Sequence, residues 1–188
     1  MKSNFMRILT GLLIVVSVFS VTSYFDKAEA VSARKINARV QETLDDFVHD
    51  VRGGQAALNK AKGVLVMPKV YNAGFGIGGQ YGEGALRVGG KTVNYYNLIE
   101  GSVGFQLGGQ MKRIVILFME DSALQKFRNS NGFQVGADAS VAVVTVGAEG
   151  GIDSASLNKP VIAFVLDQKG LMYDLSLDGA KFSKIARR

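Results

Sequence analysis

The chain has 188 residues, 47% of them hydrophobic, with a formal net charge of +6, one histidine and no cysteine. That length predicts one domain with a core of its own. The missing cysteines exclude disulfides, thiolate catalysis and cysteine metal sites, and a lone histidine excludes multi-histidine ones.

Lys2 and Arg7 precede an apolar run from Ile8 to Val21, and a polar segment then ends in Ala28-Glu29-Ala30. Basic start, apolar middle and A-x-A site make residues 1–30 a signal peptide, expected to be cleaved after Ala30. The fourteen residues of that run would span ~21 Å as a helix, short of the ~30 Å hydrocarbon core. The expectation is an exported protein, periplasmic or extracellular and peripheral to a membrane. Without a cysteine at the cleavage point it is not a lipoprotein. Residues 31–188 then form the single domain. Removing three basic and two acidic side chains lowers the net charge from +6 to +5. The basic residues are dispersed, which supports weak attraction to an anionic surface and no more.

Residues 32–52 read as an amphipathic helix. Ile36, Val40, Leu44, Phe47, Val48 and Val51 keep the three-four spacing of one apolar stripe. Its polar side begins with Arg34, Lys35 and Arg39 and continues with Glu42, Asp45 and Asp46. Cations at a helix N-terminus oppose the macrodipole at ~0.3–1 kcal/mol each, which points to contact with something anionic. Packing of the stripe on a core is the competing reading. Gly53-Gly54 closes the helix, and a shorter one follows from Gln55 to Ala61.

From Gly63 the pattern turns to β. Val64–Met67 reads as a short strand stopped by Pro68, and Gly74–Val88 as a long alternating one with Phe75, Ile77, Tyr81 and Ala85 on one face. Gly89-Gly90 predicts a two-residue hairpin turn, with Lys91–Leu98 returning. Ile114–Met119 and Val161–Leu166 are unbroken apolar runs, suited to strands covered on both faces. Between them, Ser122 and Gln125 have capping-box spacing before a one- to two-turn helix that Gly132 closes. A strand to Val146 and a loop from Gly147 to Lys159 come next. A turn at Lys169-Gly170, a strand Leu171–Leu177 and a turn at Asp178-Gly179 lead to a basic tail with Lys181, Lys184, Arg187 and Arg188. The sum is an α+β, mainly antiparallel β fold, barrel-like or sandwich, with an N-terminal helix and one short internal helix.

One stretch is written three times: Gly74–Gln80, Gly104–Gln110 and Gly132–Asp138, starting 30 and then 28 residues apart. Gly74, Gly76, Gly78, Gly82 and Gly84 leave one strand face nearly bare. Each costs ~0.5–1 kcal/mol relative to alanine, so something must need the space. A packed element of the protein itself is the first expectation, a ligand groove the second. Gly74-Phe-Gly-Ile-Gly-Gly79 matches a dinucleotide fingerprint, but alternation runs on through Tyr81 with no helix opening, so no nucleotide is expected.

Acid–base chemistry has no singled-out pair: Glu83, Glu100, Asp138, Glu149 and Asp153 lie in or beside the β region, and Glu83 shares a face with Arg87, a local ion pair. His49 sits on the helix with no nucleophile-elbow sequence elsewhere. Tyr95-Tyr96 beside Lys91 is too little for nucleic acid.

In order along residues 33–183, several segments resemble the SYLF domain family. They are Lys60-Ala-Lys-Gly63 into Val64–Met67, Ala73–Gly79, Gly104–Gln110 into Ile114–Met119, and Val135–Ala142. Lys169–Leu171 and Leu175–Gly179 complete the set. The resemblance implies a non-catalytic domain without cofactor or metal that binds membranes. Eukaryotic relatives bind phosphoinositides, with an N-terminal amphipathic helix contributing, and some bind actin. It places lipid contact at Arg34, Lys35 and Arg39, with Lys112 and Arg113 as further basic candidates, and anionic phospholipid as partner. The alternative is a structural or protein-interaction module of a bacterial envelope.

Overall fold

The structure, a computed structural model, describes residues 32–145, 158–166 and 177–187, with the backbone alone for 73–77, 102–110 and 145. The elements are α1 (Ala33–Asp50), α2 (Gly54–Lys60), β1 (Gly63–Val88), β2 (Lys91–Phe118), α3 (Asp121–Asn129), β3 (Phe133–Gln134), β4 (Ala142–Thr145), β5 (Val161–Leu166) and β6 (Lys181–Ile185). The strands form one sheet in the order β3-β6-β2-β5-β4, with β1 paired to β2. It is antiparallel except where β4 meets β5, and it curls into half a barrel. The fold is α+β as the sequence predicts, and the barrel-like form rather than two facing sheets. The expected signal peptide, the strand Leu171–Leu177 but for its last residue, and the turn before it lie outside the described residues, as does nearly all of the loop Gly147–Lys159.

The frame is a single hairpin. Gly89 and Gly90 take φ of 56° and 77°, the two positive values a type I′ turn requires. β1 and β2 then pair from Val88↔Lys91 to Gly63↔Phe118. Pro68 does not stop the strand. The register shifts between Met67 and Val70, so the proline falls in a bulge where its missing N–H forfeits no ladder bond.

This hairpin also folds back over its own root. A Cβ on Gly84 would stand 1.9 Å from the Val66 carbonyl oxygen, and one on Gly82 2.7 Å from that of Lys69. Both approaches are backbone to backbone and only glycine permits them. At Gly82 and Gly84 the bare face is therefore used by the protein's own strand, the first of the two expected uses. Between the crossing points, Val70 to Tyr81 form an arch whose contour is about 40 Å at about 3.3 Å per residue. Gly74↔Gly108 and Gly76↔Gly104 pair within it, with an irregularity between them. The first two copies of the repeat thus face each other across one ladder.

At the root the sheet is covered on both sides. The row Leu65–Ile116–Ala163 belongs to a core closed by α3. Phe127 stacks there with Tyr96, Phe118 and Phe133 at centroid distances of 4.7, 4.8 and 5.1 Å. The alternate row Val66–Val115–Phe164 faces α1, whose Phe47 meets Phe164 edge-on at 5.0 Å. Each buried phenylalanine contributes on the order of 1.5–3 kcal/mol. Ile36, Val40, Leu44, Phe47 and Val51 are all buried, so the apolar stripe of α1 packs on the sheet.

Three further expectations change. No side chain caps α3; its N-cap is Glu120, and Ser122 donates to the Glu120 carboxylate instead of forming a capping box. The third copy of the repeat is no long strand, because Gly136 turns at φ 87° and Asp138 accepts the Gln134 N–H across that turn. The basic tail is β6, paired to Tyr95–Ile99 of β2.

Candidate functional site

The arch differs in polarity from the root. Tyr71 lies directly opposite Met111, and Tyr81 opposite Ile99. These four are exposed, at 54%, 41%, 46% and 52%. One residue away on each strand the side chains point to the other face and are polar and buried: Gln80 with Glu100 opposite it, and Lys112 opposite Val70. Asn72, half-buried, shares the parity of Val70. A strand pair that turns tyrosines, methionine and isoleucine outward and amides and charges inward has its apolar side toward solvent. Sequence reading assigned Tyr81 and Ala85 to one covered face. Ala85 is buried and Tyr81 is not; beside Ala85, Tyr95 and Arg87 bond to Asn37 and Gln41 of α1.

A latch holds the second leg of the arch. The Tyr81 hydroxyl donates to Glu83 at 2.6 Å, and Arg187 donates to both Glu83 oxygens, at 3.1 Å from Nε and 2.5 Å from Nη2. Glu83 is thus paired with Arg187 and not with Arg87, which donates to Gln41 of α1 at 2.7 Å. Burial works to raise the Glu83 pKa, but the hydrogen bonds from Arg187 and Tyr81 outweigh it and hold the carboxyl below its ordinary value. Burial, then the Glu83 carboxylate, pushes the Tyr81 phenol up to about 12. It therefore stays a donor throughout the neutral range.

The basic residues proposed as lipid contacts are not gathered in one place. Arg34 and Lys35 are exposed on the first turn of α1, and Arg39 is half-buried on the second. Lys112 is buried, and Arg113 forms an ion pair with Asp46 of α1. The acidic second half of α1 has a structural use in that pair. Of the groove glycines, Gly74 and Gly76 lie at the middle of the arch, Gly78 on its second leg, and Gly82 and Gly84 at the crossing.

Glu83 is latched, Asp138 holds a turn, and Glu100 lies opposite an amide. His49 is exposed on α1. Among the described residues no group of acids and histidines could hold a metal, and no helix is long and apolar enough to cross a membrane. Glu149 and Asp153 lie outside the described residues. A groove of 630 Å³ opens between the start of α3 and the approach to β5, lined mostly by apolar residues with Lys126 and Lys159 beside them. The Lys126 ammonium is engaged by the Asp138 carbonyl. The exposed arch pairs are what sequence reading missed. Strict alternation with tyrosine ten residues apart was a signal, but it does not say which face is outside.

The class these features define is an α+β half-barrel domain built on one folded hairpin. Residues 99–186 match the family model Ysc84, described as Las17-binding protein actin regulator. The resemblance to the SYLF family is thereby borne out over these residues, from the second leg of the arch through β6. No curated protein matches the chain.

Proposed function

We propose that the chain is an exported, non-catalytic domain that binds membrane lipid through the outer face of the arch. The observation that carries this is the pair of exposed cross-strand contacts, Tyr71 with Met111 and Tyr81 with Ile99. Tyrosine suits the membrane interface, with an apolar ring and a polar tip. The stripe of α1 is occupied by the sheet, so the helix has only its exposed cations Arg34 and Lys35 to offer an anionic headgroup. Family membership supports the reading, as does the net positive charge. Co-sedimentation of the chain from Val31 with phosphatidylcholine vesicles, with and without phosphatidylserine, tests it. Binding is expected to be strongest with the anionic lipid at low salt. No binding to either vesicle at low salt sinks the proposal.

The packing of α1 on the core favours a second reading, a protein-interaction module of the envelope. The family is described as Las17-binding and actin-regulating, and a protein partner is the part of that description this reading takes up. Under it, the combined change Arg34→Glu, Lys35→Glu, Arg39→Glu leaves membrane association unaltered.

A further inference from the structure

The concave side of the arch carries an unmet chemical requirement. Gln80 is 3% exposed, and neither its amide nitrogen nor its carbonyl oxygen has a hydrogen-bond partner. The buried Asn72 side-chain carbonyl on the other leg has none either. Buried amides are almost always satisfied, and those that are not point to a water or a ligand. Gln80 shares the strand parity of Gly82, whose missing Cβ points at the Lys69 carbonyl and the Val70 side chain on the first leg, and Asn72 shares the parity of Val70. Gln80 and Asn72 therefore look into the space between the two legs.

We propose that this space is a binding site for a neutral polyhydroxyl group of the sugar or glycerol class, read by the Gln80 amide and the Asn72 carbonyl. A hydroxyl both donates and accepts, so two adjacent hydroxyls complement an N–H donor and a carbonyl acceptor on one side chain. An apolar occupant leaves the amide unpaired, at a cost. A charged occupant is disfavoured because the same buried face already carries one carboxylate, Glu100, and one ammonium, Lys112. The site stands on these groups alone. That its ligand is a glycolipid headgroup, and not a free sugar, rests on the membrane-binding reading above.

The experiment uses the chain from Val31, three probes and two variants. The probes are methyl β-glucopyranoside, phosphatidylcholine vesicles containing monoglucosyldiacylglycerol, and phosphatidylcholine–phosphatidylserine vesicles that carry no sugar. The variants Gln80→Leu and Gln80→Met remove the amide and keep the bulk. The expected result is binding of the glucoside or the glucolipid that weakens at least tenfold in both variants, with Tm held or raised and phosphatidylserine vesicles bound as before. Binding of the glucoside without the glucolipid keeps the site and assigns it a free sugar. If neither sugar probe binds, or the variants bind within twofold of the original, the proposal is overturned. A lowered Tm in both variants without sugar binding also overturns it, since a structural water then satisfies the amide. Loss of the phosphatidylserine arm alone removes the membrane-binding reading and not this site.

Discussion

At the root of the β1–β2 hairpin, Leu65 faces Ile116 and Val66 faces Val115, and all four are buried; further along the same ladder Tyr71 faces Met111 and both are exposed. Strand pairing is the same in both regions. What differs is the cover. The root lies between α1 and α3, so both of its faces are apolar, as for any strand buried on two sides. Among the described residues the arch has no helix over its outer face, and its inner face holds Gln80, Glu100 and Lys112. Polarity along a strand is set by what lies above each face, and β1 passes from one regime to the other within a few residues of Lys69. Gly82 and Gly84 mark that change, because there the strand touches its own backbone.

The largest effects are expected where the two regions cross. Gly84→Ala places a methyl 1.9 Å from the Val66 carbonyl, and neither backbone can yield without opening the hairpin. A loss of about 4 kcal/mol or more, read as failure to fold or a collapsed Tm, is the expected outcome. Gly101→Ala on β2 is the matched control, with nothing within 4 Å of the new carbon. It should leave stability unchanged or raise it by up to about 0.5–1 kcal/mol. Equal damage from the two changes breaks the comparison.

Next come the covers of the root. Phe164→Ala, which empties the space against Phe47, should cost about 3–5 kcal/mol in denaturant unfolding. Tyr71→Ser on the arch should change stability by less than about 0.5 kcal/mol while weakening vesicle co-sedimentation. A large stability loss from Tyr71→Ser means that its face is covered after all.

The smallest effect sharpens the account of the latch. Because the folded pKa of Glu83 is depressed below its ordinary 4.5, its stabilisation is fully present above that value. It is lost as pH falls through the folded pKa. Glu83→Gln should be less stable than the original at pH 7, and the gap should close on acidification below about 4.5. An unchanged gap from pH 7 to 3 contradicts the latch, as does an Arg187→Ala variant with the original acid slope.

Local signals made half of this fold legible. The apolar stripe of α1, the Gly89-Gly90 turn and the unbroken run Val161–Leu166 each follow from neighbours within one element, and each stands as read. Pro68 misled because a bulge, which depends on the partner strand, absorbs it. The third repeat misled because Gly136, alike in sequence to its counterparts, takes a positive φ. Glu83 appeared paired with Arg87 by strand spacing, whereas its partner, Arg187, comes from the far end of the chain. The candidate site was harder still to read. Arg34, Lys35 and Arg39 were found by charge, but the exposure of Tyr71 and Tyr81 depends on where α1 and α3 stop covering the sheet. That is a property of tertiary packing.

The chain has no cysteine, so one introduced thiol can carry an environment-sensitive fluorophore without competition. Labels at Met111→Cys on the arch, Lys35→Cys on α1 and Gln125→Cys on α3 distinguish the surfaces in one titration with phosphatidylserine vesicles. Membrane contact through the arch predicts a blue shift and quenching by lipid-borne quenchers at position 111, a weak response at 35 and none at 125. A strong response at position 35 with the label at 111 still in water contradicts it.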